Sequence, residues 1–439
     1  MYLCIKVIGA GLAGCEAAWQ IASRGIRVQL FDMKPHKMSP AHSNENFGEL
    51  VCSNSLKADR LASAAGMLKE EMRQLNSLLM ECADKTRVPA GGALAVDRIR
   101  FAQMITDKIK NHPLVTVMDT EVDVLPTAGI SVIATGPLTA DSLANNIKGK
   151  FGGALSFFDA AAPIITADSI DYSCAFSASR YDKGDGDDYI NCPMNKEEYE
   201  IFYNELINAH RTPLHNVDVQ NPKVYEGCMP IEVMAQRGMD TMRFGPMKPV
   251  GLRDPKTGHR PWAVLQLRKE NTDGTLYNLV GFQTNLKFPE QKRVFGFIPA
   301  LKNAEFARYG VMHRNTFINS PQLLNADFSL RTNENMFFAG QLTGVEGYME
   351  SGASGLLAGI NAARRYGGQD TVVLPPETMT GSLASYISDS NVVNFQPMGA
   401  NIGILPALPE HIRDKRLRAE RYGERSIETL KKLIALEEI

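Results

Sequence analysis

The sequence has no long hydrophobic run and no segment typical of export. Its 439 residues contain no uninterrupted apolar stretch near the roughly 18 residues that a membrane-spanning helix needs. The N-terminus begins with a strand pattern, without the basic stretch and apolar core of a signal peptide. We therefore expect a cytoplasmic protein that does not enter a membrane.

No charge of one sign predominates either. The 47 lysines and arginines nearly balance the 49 aspartates and glutamates, and the formal net charge is −2. Because the whole molecule has no attraction for nucleic acid, RNA binding would require a local basic patch. Apolar residues make up 44% of the chain, which is ordinary for folded proteins, and the length predicts two or three structural units.

The cysteines lack the pairing of a disulfide framework and the C-x-x-C spacing of a zinc site. There are seven of them, scattered along the chain: Cys4, Cys15, Cys52, Cys82, Cys174, Cys192 and Cys228. We therefore expect reduced thiols and no metal site.

The N-terminal residues carry a dinucleotide-binding fingerprint. A buried strand at 5–8 leads into a G-x-G-x-x-G turn, a helix follows at 12–23, and a second strand at 26–31 ends in an acid. The first glycine makes the tight turn, the second lets the backbone approach a pyrophosphate, and the third lets helix and strand pack closely. The acid can accept hydrogen bonds from ribose hydroxyls. The predicted cofactor residues here are Gly9, Ala10, Gly11, Gly14 and Asp32.

Two later strands also end in glycine. The segment "ISVIATGPLT" predicts a buried strand ending at Gly136. The segment "NMFFAGQLTG" predicts a strand running into Gly340 and Gln341, then a glycine-rich loop and a small-residue helix from about Gly352. The fingerprint alone does not distinguish NAD from FAD, but a nucleotide contacted by both ends of the chain suggests resident FAD. We expect the three strand ends in one sheet of an α/β, Rossmann-like fold of the two-dinucleotide-binding type.

The middle of the chain predicts an inserted, smaller α+β domain. Asn195 and Glu198 resemble a capping box before an amphipathic helix, and two strand-like segments flank Asp273-Gly274 as in a hairpin. Residues 64–83 predict one amphipathic helix. The predicted division is a first part of the FAD-binding domain at 1–194, the inserted domain at 195–300, and the second part at 301–439 with a basic helical end.

Long segments from the N-terminus to about residue 365 match one known family, in that family's order. They include "GAGLAGCEAAWQ", "ELVCSNSL", "RVPAGGALAVDR", "YEGCMPIEVMAQRG", "RYGVMHRNTF" and "GVEGYMESGASGLLAGINAARR". The sequence thus resembles the folate- and FAD-dependent tRNA (uracil-5-)-methyltransferase family, TrmFO. The resemblance implies a fold related to the larger GidA/MnmG-type tRNA-modifying flavoproteins. It also implies methylation of carbon 5 of a T-loop uridine in tRNA, with 5,10-methylenetetrahydrofolate as one-carbon donor, reduced FAD as electron source, and NADH or NADPH as reductant.

This reaction needs a thiol, because carbon 5 of uracil is a poor nucleophile. A thiolate added to carbon 6 generates an enolate that attacks the one-carbon unit. The donor carbon is at the oxidation level of formaldehyde, so two further electrons are needed to make a methyl group. The family's two functional cysteines match Cys228 and Cys52. We expect Cys228 to be the uracil nucleophile and Cys52 to lie near the flavin, as a proton shuttle or to protect a flavin intermediate.

The matching motifs and the inserted region supply the remaining candidates. A planar pterin needs a ring to stack on, and the predicted folate residues are His313, Asn315 and Tyr348. A basic cluster of the inserted region can contact phosphates, and its predicted RNA-binding residues are Lys287, Lys292 and Arg293. Two other functions stay open from the residues: the same chemistry on a ribosomal RNA uridine, and a flavoprotein that binds RNA without methylating it or acts as an NAD(P)H oxidase.

Overall fold

The computed structural model describes residues 3–39, 41–152, 155–182, 186–213, 229–392, 394–437 and 439. The side chains of residues 155–158, 182, 313 and 314 are outside this description. Its strands are β1 (Ile5–Ile8), β2 (Val28–Asp32), β3 (Ser55–Ala58), β4 (Arg87–Val88), β5 (Ala93–Val96), β6 (Val115–Asp119), β7 (Ser131–Ile133), β8 (Leu155–Ala160), β9 (Ile164–Thr166), β10 (Phe176–Ser177), β11 (Tyr189–Met194), β12 (Ala263–Lys269), β13 (Leu276–Leu279), β14 (Phe306–Arg308), β15 (Met312–Phe317), β16 (Ser329–Leu330) and β17 (Asn333–Phe338).

The helices alternate with these strands along the chain. They are α1 (Leu12–Ser23), α2 (Ala64–Gln74), α3 (Leu78–Lys85), α4 (Arg98–Lys110), α5 (Asp141–Phe151), α6 (Lys196–Ile207), α7 (Ile231–Ala235), α8 (Thr241–Phe244), α9 (Phe288–Phe295), α10 (Ser320–Leu323), α11 (Tyr348–Tyr366), α12 (Met379–Ser388) and α13 (Lys415–Glu437). None of the helices in the described ranges is long and apolar enough to cross a bilayer.

The main sheet has the order β16-β17-β7-β1-β2-β6. β17, β7, β1, β2 and β6 run parallel to their neighbours, and β16 pairs antiparallel at one edge. The prediction that the three glycine-ended strands share a sheet is confirmed, because β17, β7 and β1 are adjacent. Since parallel strands end at the same edge, their glycine loops meet there. The Rossmann-like α/β class is confirmed as well.

Two helices from opposite ends of the chain pack closely beside this sheet. A Cβ added at Gly355 of α11 would lie 2.1 Å from the carbonyl oxygen of Ala13 in α1, and one at Gly359 would lie 2.7 Å from Ala17. Glycine is therefore required at both positions of this contact. It brings the N-terminal fingerprint and the loop before α11 to the same edge of the sheet.

A second sheet is antiparallel, with the order β10-β11-β12-β13-β9-β14. The hairpin at Asp273-Gly274 joins β12 to β13, and the capping box of Asn195 and Glu198 starts α6, both as expected. A separate hydrophobic cluster fills the space between this sheet and its helices. The division at 195 and 300 stays a prediction, but the sheet crosses both boundaries, since β9 at 164–166 pairs with β13 and with β14 at 306–308.

The single helix predicted at 64–83 is wrong, because the chain breaks it into α2 and α3. Asn76, between them, has the left-handed φ of 56°. The buried carboxylate of Glu16 accepts hydrogen bonds from Ser77 Oγ at 2.7 Å and from the backbone N–H of Leu79 at 3.0 Å. This contact from α1 satisfies a new helix N-terminus that the apolar periodicity could not reveal.

Candidate functional site

A cleft with an empty volume of about 870 Å³, its open mouth included, lies at the edge where the parallel strands end. This volume is in the range of cofactor pockets. The cleft is lined by the loops that follow β1, β2, β7 and β17 and by the start of α11. Seven of the nine predicted cofactor residues line it: Gly9, Ala10, Gly11, Asp32, Gly136, Gly340 and Gln341.

The other two predicted cofactor glycines do not line the cleft. A Cβ on Gly14 would lie 1.7 Å from the carbonyl oxygen of Gly9, so Gly14 allows the helix to pack on the turn. A Cβ on Gly352 would lie 2.6 Å from Leu79, which places Gly352 against α3. The reason is that α11 begins at Tyr348, a turn earlier than expected, and presents Tyr348 and Ser351 to the cleft instead.

The turn after β1 has the geometry that a dinucleotide needs. Gly9 has a φ of 98°, and its Cβ would lie 2.5 Å from the carbonyl oxygen of Ala134. Gly11 faces open space, because a Cβ there would meet nothing within 4 Å. Asp32 orders the turn by accepting from Ala10 N–H at 2.6 Å and from Lys34 N–H at 2.9 Å. A carboxylate has further lone pairs, so ribose hydroxyls can still bind it.

Several polar residues of the cleft were not found from the sequence. Lys34 is buried and donates to the carbonyl oxygen of Asn46. His42 shares a 2.5 Å hydrogen bond between Nδ1 and Ser39 Oγ. Burial, followed by the nearby charge of Lys34, lowers the pKa of His42. The imidazole is therefore neutral at pH 7 and offers a hydrogen-bonding group without a charge.

Cys52 is connected to the cleft through Tyr348. The phenol oxygen of Tyr348, a half-buried residue that lines the cleft, accepts from the N–H of Cys52 at 2.7 Å and of Ser53 at 3.2 Å. The Cys52 thiol donates to the carbonyl oxygen of Ala160 at 3.4 Å. Burial, followed by the proximity of Cys52, raises the pKa of Tyr348, so the phenol stays neutral.

The second sheet holds the same loop from the other side. Arg98 donates to the carbonyl oxygens of Leu50 at 2.6 Å and of Cys52 at 3.4 Å, and forms a buried ion pair with Glu270, just beyond β12. Arg268 of β12 donates to Asn54 Oδ1 at 2.8 Å. The Cys52 loop is therefore fixed between the two sheets. Sequence reasoning missed these arginines because no local pattern links them to a loop so far away in the chain.

The predicted folate strand lies beside the cleft. β15 pairs with β8, and Asn315 is buried, while the side chain of His313 is outside the described atoms. The N–H of Thr316 donates at 2.9 Å to the carbonyl oxygen of Pro137, a lining residue. Three of the predicted residues, Asn315, Tyr348 and Cys52, thus belong to segments in contact with the cleft or its lining.

Glu346 is a buried acid next to the cleft. It accepts a 2.5 Å hydrogen bond from Nε2 of Gln341, which lines the cleft. Burial, and after it the carboxylate of Asp159 on β8, raises the pKa of Glu346 to about 8. The side chain is therefore largely protonated at pH 7 and can donate a hydrogen bond there.

The predicted basic cluster is exposed, but its members differ. Arg293 is paired with Glu290 at 2.9 Å and with Glu205. Within the described ranges, neither Lys287 nor Lys292 has a carboxylate at ion-pair distance, so both charges face solvent.

Cys228 lies outside the described residues. The described residues before and after its segment both contact the stretch that precedes Lys287. The N–H of Thr212 donates to the carbonyl oxygen of Asn285 at 2.8 Å, and that of Ile231 donates to that of Gln283 at 2.7 Å. Thr212 and Ile231, on the two sides of that segment, are therefore held at neighbouring positions directly before Lys287.

Comparison with known proteins shows the fold and the family of the chain. The model of the family described as "Glucose inhibited division protein A" (GidA) matches residues 4–370. The solved structure of Aquifex aeolicus GidA in its form I crystal is similar in fold, with a TM-score of 0.69 and 18% identity, covering 99% of this chain and 78% of that one. The molecule is thus an α/β protein with the fold of GidA.

Two relatives are similar to this chain over nearly its whole length and identify a more specific family. A protein of Acetivibrio thermocellus named methylenetetrahydrofolate–tRNA-(uracil-5-)-methyltransferase TrmFO is 60% identical over 432 residues, covering 98% of both chains. The protein of the same name from Ligilactobacillus salivarius is 57% identical over 430 residues, again covering 98% of both. The chain therefore belongs to the GidA family of the matching model and to the TrmFO family of these relatives.

Proposed function

We propose that this protein methylates carbon 5 of a uridine in the T-loop of tRNA, with 5,10-methylenetetrahydrofolate as one-carbon donor and FAD held in the cleft. The observation that carries the proposal is the position of Cys52. Its loop is joined to the cleft by Tyr348, and Arg98 links the loop to Glu270 beside the second sheet, which supports a role for this thiol near the cofactor.

The residues of the cleft would hold FAD. The open face of Gly11 and the N-terminus of α1 suit the pyrophosphate, and Asp32 suits the ribose hydroxyls. When bound, FAD supplies the two electrons that the one-carbon unit needs to become a methyl group. NADH or NADPH is the proposed source of those electrons.

The roles proposed for protein side chains belong to two cysteines and to residues of β15 and α11. Cys228 adds to carbon 6 of the uracil, which makes carbon 5 nucleophilic, and Cys52 relays a proton or protects the flavin. His313, Asn315 and Tyr348 are proposed to bind folate. The support is that β15 and Tyr348 both contact the cleft or its lining.

The RNA contacts are proposed at Lys287, Lys292 and Arg293. Both lysines face solvent without an acidic partner among the described residues, which suits phosphate binding. Arg293 is already engaged with two carboxylates. Its contribution is therefore smaller than that of either lysine.

The test is methyl transfer with labelled methylenetetrahydrofolate. FAD-loaded protein is incubated with the folate, reduced nicotinamide and either an unmodified tRNA transcript or a ribosomal RNA fragment. We expect label in the tRNA, and none when the T-loop target uridine is replaced by cytidine. Label in neither RNA would contradict the methyltransferase proposal, and label in the ribosomal fragment alone would move the activity to that RNA.

The nucleophile is tested by Cys228→Ala, with Cys174→Ala as the matched control. Cys174 is a reduced, partly exposed thiol in the short turn at Tyr172–Cys174. We expect Cys228→Ala to lose transfer while keeping bound FAD, and the control to keep both. Full activity of Cys228→Ala would remove that thiol from the mechanism.

A further inference from the structure

Three aromatic rings form a stack that runs to the surface at the start of α9. The ring centroids of Phe288 and Tyr309 are 4.6 Å apart with planes at 14°, and those of Tyr309 and Phe306 are 5.0 Å apart with planes at 4°. Phe295 continues the series toward the core, 6.5 Å from Phe306. Phe288 at the outer end is 50% exposed. Because Tyr309 covers one face of Phe288, the other face is open to solvent.

The stack is held in place because hydrogen bonds connect α9 to the loop between β14 and β15. Gln291 of α9 accepts from the N–H of Gly310 at 2.8 Å and donates to its carbonyl oxygen, also at 2.8 Å. A Cβ on Gly310 would lie 2.5 Å from Thr284 and 2.7 Å from the carbonyl oxygen of Ala161. Tyr309 is thus held in a tightly packed corner, and its ring is a fixed support for Phe288.

The segment that carries Tyr309 is hydrogen-bonded to a segment that contacts Cys52 of the candidate site. The N–H of Ala161 donates to the carbonyl oxygen of Val311 at 2.8 Å. The carbonyl oxygen of the preceding residue, Ala160, accepts from the Cys52 thiol. The path from Tyr309 to Cys52 therefore passes through four residues, two on each segment, and two hydrogen bonds.

The charges around the exposed ring are positive. Lys287 precedes Phe288, and Lys292 lies a turn further along α9. Both are exposed, and no acidic partner of either occurs among the described residues. The nearest acid on the helix, Glu290, is engaged with Arg293 and with the N–H of His210. An open aromatic face between cations suits a base with phosphates on either side.

We propose that Phe288 is a stacking platform for an unstacked base of the bound RNA loop, next to the nucleotide that is methylated. The inference rests on the proposed function, because it assumes that the substrate is a single-stranded RNA loop. Every base has a π-face, so stacking on an aromatic ring tolerates different sequences. Loops offer splayed bases for this purpose, whereas paired RNA does not.

The experiment measures binding of the full-length, FAD-loaded protein to a T-arm hairpin transcript by fluorescence anisotropy. We expect Phe288→Ala and Phe288→Leu to weaken binding about 5- to 150-fold, the range measured for loss of one base–aromatic stack. Leucine keeps an apolar contact with Tyr309 but has no ring, so its loss separates stacking from packing. Phe288→Trp is expected to keep the affinity, and the fluorescence of its indole should be quenched when RNA binds.

Two controls make the result specific. Phe244→Ala removes another phenylalanine, 83% exposed on α8, and should leave RNA affinity unchanged. Flavin content and thermal midpoint should be the same in Phe288→Leu and the wild type, which shows that the variant is folded.

Two results would overturn the platform. The first is wild-type RNA affinity in Phe288→Leu. The second is unchanged RNA affinity with a raised KM for methylenetetrahydrofolate, which would assign the ring to the aromatic tail of the folate. A wild-type protein that binds the hairpin without methylating it would refute the proposed function, while the affinities of the variants would still decide the role of Phe288.

Discussion

The substitution Gly11→Ala separates cofactor binding from folding. Gly11 precedes α1 with φ −73° and ψ −171°, angles that alanine also adopts. Its Cβ would meet no protein atom within 4 Å. In the protein without cofactor, two small effects on the free energy of unfolding oppose each other. Alanine is a poorer helix N-cap than glycine, but it makes the unfolded chain less flexible, and each effect is at most about 1 kcal/mol. We therefore expect almost unchanged stability of the apo form.

The holo form should behave differently, because the added methyl group occupies the space that the pyrophosphate approaches. A ligand present at about 100 times its Kd stabilises the native state by about 2.7 kcal/mol. We expect FAD to raise the free energy of unfolding of the wild type by about this amount and to leave that of Gly11→Ala unchanged. Urea unfolding of apo protein with and without FAD, and flavin absorbance after gel filtration, measure the two effects.

Gly149→Ala is the matched control. Gly149 lies inside α5, and a Cβ there also meets nothing within 4 Å. Alanine should stabilise this helix by up to about 1 kcal/mol and leave FAD binding intact. A full FAD-dependent stabilisation of Gly11→Ala would refute the assignment of the cleft to the cofactor.

Three further predictions concern buried and exposed charges. The folded pKa of Glu346 is raised from 4.5 to about 8, so the stability that its proton confers is complete below about pH 4.5 and is lost as the pH rises through about 8. Glu346→Gln should flatten the decline in stability between these values, as urea unfolding at several pH values would show. Glu270→Ala leaves Arg98 charged and without its carboxylate partner in the interior and should lower the free energy of unfolding by ~3–5 kcal/mol, as urea unfolding would show. Lys292→Ala should weaken RNA binding and reduce the slope of log affinity against log salt by about 1, with a smaller effect for Arg293→Ala, whose charge is already paired.

Local patterns in the sequence were enough to predict the elements that depend on neighbouring residues. The turn glycines, the acid that ends β2 and the strands that carry them were predicted, and the structure assembles these residues at one cleft. The capping box of α6 and the hairpin between β12 and β13 were found for the same reason. In each case the side chain that determines the conformation lies within a few residues of the backbone that it affects.

Only the tertiary structure decided the contacts between distant parts of the chain. The break at Asn76 depends on a carboxylate from α1, and Gly352 faces α3 because of where α11 begins. The bond between Tyr348 and the Cys52 loop joins residues 296 apart. Such contacts leave no periodicity and no motif, since the energy of a buried hydrogen bond depends on the distance between two groups in space and not on their separation along the chain.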